Sequence, residues 1–244
     1  MISNGPTANN QLVPQPPAPP GWGNDELAKF LDMTRSNVFA SFVQTPQHHA
    51  KLLDVDSAFL LICKNLTDPP DFRAPLFLLK AHSSYRAAVG LAMAGQAPEA
   101  FMVMRGCLES ALYGLYINRN KHAFEIWVKR NDSEEAKRAV RKEFTVAAMW
   151  KCLKSVDEKL QDEAQTLYER TIDLGAHPNA ASVATALKMS KGEKGMHFQL
   201  TYLSADPQML RGTMKSTAQA ESRYLGSFGT SSTNATTLLG SPRN

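Results

Sequence analysis

The chain has 244 residues, 43% hydrophobic and 20% charged, enough for one core of ordinary size and unlike a disordered or fibrous sequence. A net charge of +4 falls short of a nucleic-acid-binding signature, and the basic stretch from Arg119 to Lys159 is interleaved with Glu125, Asp132, Glu134, Glu135, Glu143, Asp157 and Glu158. No basic stretch leads into an apolar run with a small-residue cleavage site, and the most apolar window, Ala97 to Ile117, is interrupted by Glu99, Arg105 and Glu109. The sequence therefore predicts a soluble cytoplasmic protein without a membrane partner.

Residues 1–23 carry no charge and contain Pro14, Pro16, Pro17, Pro19 and Pro20, which predicts a disordered Pro-rich arm acting as a tether or docking peptide. Residues 24–224 read as a helical domain. Asn24 and Asp25 can cap a first helix reaching Gln44, with Leu27, Phe30, Leu31, Val38 and Phe42 as inward positions. Pro46 separates it from a second helix, Gln47 to about Leu66, carrying Leu52, Leu53, Val55, Phe59, Leu60 and Ile62. Asp68-Pro69-Pro70-Asp71 is a break.

A third helix runs from about Ala74 to Ala94, and Gly95 and Pro98 punctuate a short link to a fourth, Pro98 to about Asn118, so the two should pack antiparallel. Further helices are predicted at Lys121–Arg130, Ser133–Val156, Asp157–Leu174 and Pro178–Met189. From Met196 to Tyr202 apolar and polar residues alternate, the period of a half-buried strand, which must find a pairing partner. Asp206 and Pro207 open a last helix to about Tyr224, and residues 225–244 form a flexible tail rich in Gly, Ser and Thr. The fold class is all-α: a multi-helix bundle with at most a minor β element near the C-terminus.

The fourth helix has a core stripe of Phe101, Met104, Leu108, Leu112 and Leu115, and Val103 and Cys107 make its opposite side apolar too, so it should be central. Arg105 and Glu109 then sit one turn apart on its flank, beside Tyr116. In a buried helix they must find partners, and removing one from a buried pair costs about 3–5 kcal/mol. His82 and Arg86 lie along the margin of the third helix's apolar face of Leu78, Tyr85, Val89 and Ala92. Antiparallel packing would gather His82, Arg86, Arg105 and Glu109 into one polar cluster. It reads either as a salt-bridge network fixing helix register or as an anion site with Arg86 and Arg105 as binding groups and His82 or Glu109 as proton carrier.

Cys63, Cys107 and Cys152 lie far apart in apolar patterns and read as buried thiols. No Glu-x-x-His pair occurs, and the adjacent His48 and His49 cannot share a helical face, so neither a metal site nor a cofactor is predicted; the glycine motifs of nucleotide binding are missing as well. In the run Tyr168 to Asn179, Gly175 can end one helix and Pro178 can start the next, placing His177 at a turn that it and Asn179 would stabilise.

The run Met104-Arg105-Gly106-Cys107-Leu108-Glu109-Ser110-Ala111-Leu112, followed by a helix ending in His177-Pro178-Asn179, resembles uncharacterised bacterial all-helical proteins associated with the HEPN-like superfamily, over roughly Leu52 to Met189. The resemblance implies a helical bundle and a role in defence or stress response. Active members are metal-independent ribonucleases with an Arg followed four to six residues later by His. Here Arg170 and His177 have six residues between them, and Thr171 only loosely matches the polar neighbour of the family signature. In that chemistry His moves the proton of a ribose 2′-hydroxyl or leaving oxygen while Arg stabilises the phosphorane charge. Two functions follow as expectations: a non-catalytic module engaging a protein partner or self-associating, and, as the alternative, an RNA-cleaving enzyme using Arg170 and His177.

Overall fold

The structure, a computed structural model, describes residues 17–65, 72–176, 187–192, 195–200, 203–204 and 207–222. The expected junction at His177, Pro178 and Asn179, the tail 225–244 and most of the Pro-rich arm lie outside them. The chain divides into two units, 1–33 and 34–244, with the boundary inside the first helix. In the first unit Trp22 N–H donates to the Pro19 carbonyl, and Gly21 and Gly23 take positive φ to turn the chain. The Asp25 carboxylate then accepts from the Ala28 amide, opening helix α1, Glu26–Gln44.

In the second unit α1 leads past Thr45 into α2, Pro46–Asn65, with Pro at the first helical position, where its missing N–H costs nothing. Helix α3, Arg73–Ala94, ends on Gly95 at φ 83. That glycine is required twice: the conformation is left-handed, and a Cβ would meet the Ser204 carbonyl oxygen at 2.6 Å, where Ser204 N–H donates back to Gly95. Helix α4, Ala97–Arg119, returns along α3, and the Cys107 thiol reaches the Ala81 carbonyl, consistent with antiparallel packing.

Helix α5, Lys121–Val128, is followed by a 3-10 turn, Lys129–Asn131. The expected single helix from Ser133 to Val156 is two: α6, Glu134–Glu143, capped by Ser133, and α7, Val146–Lys154, capped by Thr145. The Thr145 hydroxyl accepts from the Ala148 amide, a local bond that ends one helix by starting the next. Asp157 caps α8, Glu158–Thr171, which continues as a π-helical turn, Ile172–Ala176. Gly175 lies in that turn, next to the last described residue of the helix; a Cβ there would collide with the Pro98 carbonyl on the first turn of α4.

Strands β1, Leu187–Gly192, and β2, Gly195–Leu200, form an antiparallel hairpin in which Leu187 pairs with Leu200 and Gly192 with Gly195. The helix expected up to Met189 is therefore strand from Leu187, and it supplies the partner that the alternating segment needed. Helix α9, Pro207–Ser222, is the last described element. The all-α bundle with a minor β element stands.

Helix α4 is the centre. It packs against α3, α5, α7, α8, α9 and the π turn, and Phe101, Met104, Cys107, Leu108, Leu112 and Leu115 are all buried. A second cluster, Phe77, Ile117, Ala123, Val140 and Phe144, closes the other end of the bundle, with Tyr113 stacked on Phe144. Of the first helix's expected inward positions, Val38 packs against the core and Phe30 is half-buried, whereas Leu27, Leu31 and Phe42 are exposed. In the second unit α1 is held by Val38 and by its polar side, Asn37 donating to the Ala94 carbonyl and buried Ser41 to the Met93 carbonyl.

Candidate functional site

The four residues expected to form one cluster divide between two networks. In the first, Asp56 on α2 binds both groups from α3. Arg86 makes a two-pronged bond to it, Nε to Oδ1 at 2.7 Å and Nη2 to Oδ2 at 2.9 Å, and His82 Nε2 sits 2.7 Å from Oδ1. His82 is buried and stacks on Phe59, ring centroids 4.7 Å apart. The Arg86 hydrogen bond, against the opposing effect of burial and with help from His82, holds the Asp56 carboxyl at about 2. This carboxylate is ionised throughout the physiological range and is a poor proton carrier.

In the second, Arg105 Nε donates to Glu109 Oε1 at 2.9 Å along α4, and the Tyr168 hydroxyl of α8 donates to the same oxygen at 3.0 Å. The guanidinium lies over the Tyr168 ring, 5.1 Å from its centroid, and Trp150 meets that ring edge-on. The pair is only partly buried: Arg105 is 27% exposed and Glu109 38%. The expectation of deep burial beside His82 or Arg86 is corrected. The two side chains leave α4 on its flank toward α8, whereas α3 occupies another side, where Cys107 meets Ala81.

The partners Asp56 and Tyr168 were not singled out in the sequence, though each left a trace. Asp56 falls on the inward side of α2, between Leu52, Val55 and Phe59, where an unpaired acid would be costly. Tyr168 continues the buried spacing of Leu160, Ala164 and Leu167. Nearby, the Tyr116 hydroxyl donates to Glu143 at 2.8 Å; burial, with Glu143 assisting, pushes its ionisation up to about 12.

Arg170 is exposed and donates through Nη1 to the Ser216 hydroxyl on α9 at 3.3 Å. His177, its expected partner, lies outside the described residues, as do Pro178 and Asn179. Of the three thiols expected to be buried, Cys107 is fully enclosed while Cys63 and Cys152 are only half-buried; desolvation raises both of these, so none carries the environment of an activated nucleophile. Among the described residues no group of three or more His, Cys, Asp or Glu could hold a metal ion, and no helix is long and apolar enough to cross a membrane.

Both networks are charge-compensated within themselves: each guanidinium is spent on a carboxylate of the same chain. Such arrangements fix helix register and offer little to an anionic ligand. The surface apolar groups tell a different story. Phe72, Leu76 and Leu79 of the α3 segment and Leu53 and Leu61 of α2 are exposed. Comparison with known proteins finds no matching family, no similar characterised protein and no similar solved structure.

Proposed function

We propose that the protein is a non-catalytic helical interaction module that engages a protein partner through the outer faces of α2 and α3. The observation that carries this reading is the exposed apolar stripe of α3, with Leu76 at 46% and Leu79 at 51% exposure, beside Leu53 and Leu61 of α2. Grouped apolar exposure of this kind marks interaction surfaces in folded proteins. The internal neutralisation of Arg86 by Asp56 and of Arg105 by Glu109 supports it, because the ionisable groups best placed for chemistry are already engaged.

The test places a photo-crosslinking residue at Leu79 and, as control, at Arg138, an exposed position on α6, in cells that make the protein. Protein adducts are expected from position 79 and none from 138. Adducts from neither position overturn the reading. The ribonuclease alternative is read on the purified protein: cleavage of single-stranded RNA in excess chelator, lost in both Arg170→Ala and His177→Ala, would replace the module with an enzyme.

A further inference from the structure

The exposed stripe of α3 is graded in size. Phe72, Leu76, Leu79, Ser83, Ala87 and Gly90 are all exposed and, at about 100° per residue, share one face. Its large apolar side chains lie before Ser83 and its small ones after it, and exposed Lys80 and Arg86 flank the stripe at about 60° on either side of Ser83, Arg86 held to Asp56. A Cβ at Gly90 would meet nothing within 4 Å, so packing within the described chain does not require glycine there, although glycine weakens a helix interior.

The exposed stripe of α2, Ala50, Leu53, Asp54, Ser57, Leu61 and Lys64, is graded in charge. An acid stands before its middle and a base after it, and neither Asp54 nor Lys64 has an ion-pair partner among the described residues.

The two gradients share a centre. Phe59 stacks on His82, and Asp56 bridges His82 and Arg86, so residue 59 of α2 is level with residues 82–83 of α3. A two-fold axis lying in this face at that level, perpendicular to the helices, sets α3 against its own copy reversed. Ser83 then faces Ser83, Leu79 faces Ala87, and Leu76 faces Gly90. The same axis sets α2 against its copy, with Asp54 opposite Lys64 and Ser57 opposite Leu61. One axis thus fits large side chains to small ones on one helix and acid to base on the other, the self-complementarity that an isologous interface demands.

We propose that two copies of this chain pair antiparallel across the outer faces of α2 and α3, with Ser83 at the two-fold axis. The proposal rests on the interaction-module reading and names its partner as a second copy. The test uses the purified full chain in sedimentation equilibrium over a range of concentrations. A dimer is expected. Asp54→Lys, which sets lysine against Lys64 of the other copy, should weaken it about tenfold, and adding Lys64→Asp to the same chain should restore it. Ser83→Cys should give an oxidised dimer that the parent does not form. A chain that stays monomeric to about 100 μM while position 79 still crosslinks to another protein overturns the dimer and leaves the module reading standing. A dimer that ignores the Asp54 and Lys64 exchanges and resists oxidation through Ser83→Cys overturns the proposed axis.

Discussion

Helices α3 and α4 run side by side and both carry apolar residues around most of their circumference, yet they spend them differently. On α4 the apolar residues are met on several sides by α3, α7, α8 and α9, and Leu108 is 0% exposed. On α3 one side feeds the same core through Leu78, Ala81, Tyr85 and Ala88, while the opposite side leaves Leu76 and Leu79 in solvent. The difference teaches that an all-round apolar pattern has two physical meanings. One is a helix enclosed by its own chain; the other is a helix with one face in the core and a second left open to solvent.

The largest expected effect lies on the enclosed helix. Leu112→Ala removes a side chain packed inside the core and should cost about 2–5 kcal/mol of unfolding free energy in urea titration. A loss under about 1 kcal/mol would mean that α4 is less enclosed than its burial states.

Next is the link that holds α2 to α3 and so shapes the open face. The Asp56 carboxyl is depressed from its ordinary 3.8 to about 2, so the folded state keeps it ionised more readily than the unfolded chain does. Its contribution is complete above about pH 4 and fades as pH falls toward 2. A shift of this size corresponds to about 2.5 kcal/mol at most, reduced by solvent screening at the exposed Arg86. Asp56→Asn should lower stability at pH 7 by that order and flatten the acid limb of the stability curve. An acid limb of unchanged slope would place its origin in other carboxylates.

Smaller still is Glu109→Ala on the flank of α4. With Glu109 38% exposed, the loss should be about 1 kcal/mol rather than the 3–5 kcal/mol that a buried stranded charge would bring. Thermal melts should show a larger shift for Glu109→Ala, which also leaves Arg105 without its carboxylate, than for Tyr168→Phe, and the two shifts should be non-additive because both variants break the Tyr168–Glu109 hydrogen bond.

The sequence carried the helical architecture well wherever periodicity and caps agreed. Asp25, Gly95, Ser133 and Asp157 end or begin helices as their side chains or conformational freedom dictate. It failed where a local polar bond outweighed the apolar period, as at Thr145, which divides one expected helix into α6 and α7. The inward face of α1 is legible only in part: Val38 packs on the core as its period implies, but Leu27, Leu31 and Phe42 are exposed, and Asn37 and Ser41 dock on the last carbonyls of α3, a contact that no periodicity encodes. The polar cluster was half legible: His82, Arg86, Arg105 and Glu109 are all paired, but which helix flank each leaves by depends on the rotation of α3 against α4. The outer face of α3 escaped notice because an exposed leucine and a buried one look alike in sequence.

The central claim is that this outer face belongs to a partner and not to the chain's own core. Urea unfolding of Leu79→Ser at high dilution, beside Leu112→Ala, tests it most directly. Leu79→Ser should stay within about 0.5 kcal/mol of the parent while Leu112→Ala falls by several. A loss of about 2 kcal/mol or more for Leu79→Ser at that dilution would show that the chain itself covers the face and would contradict the account.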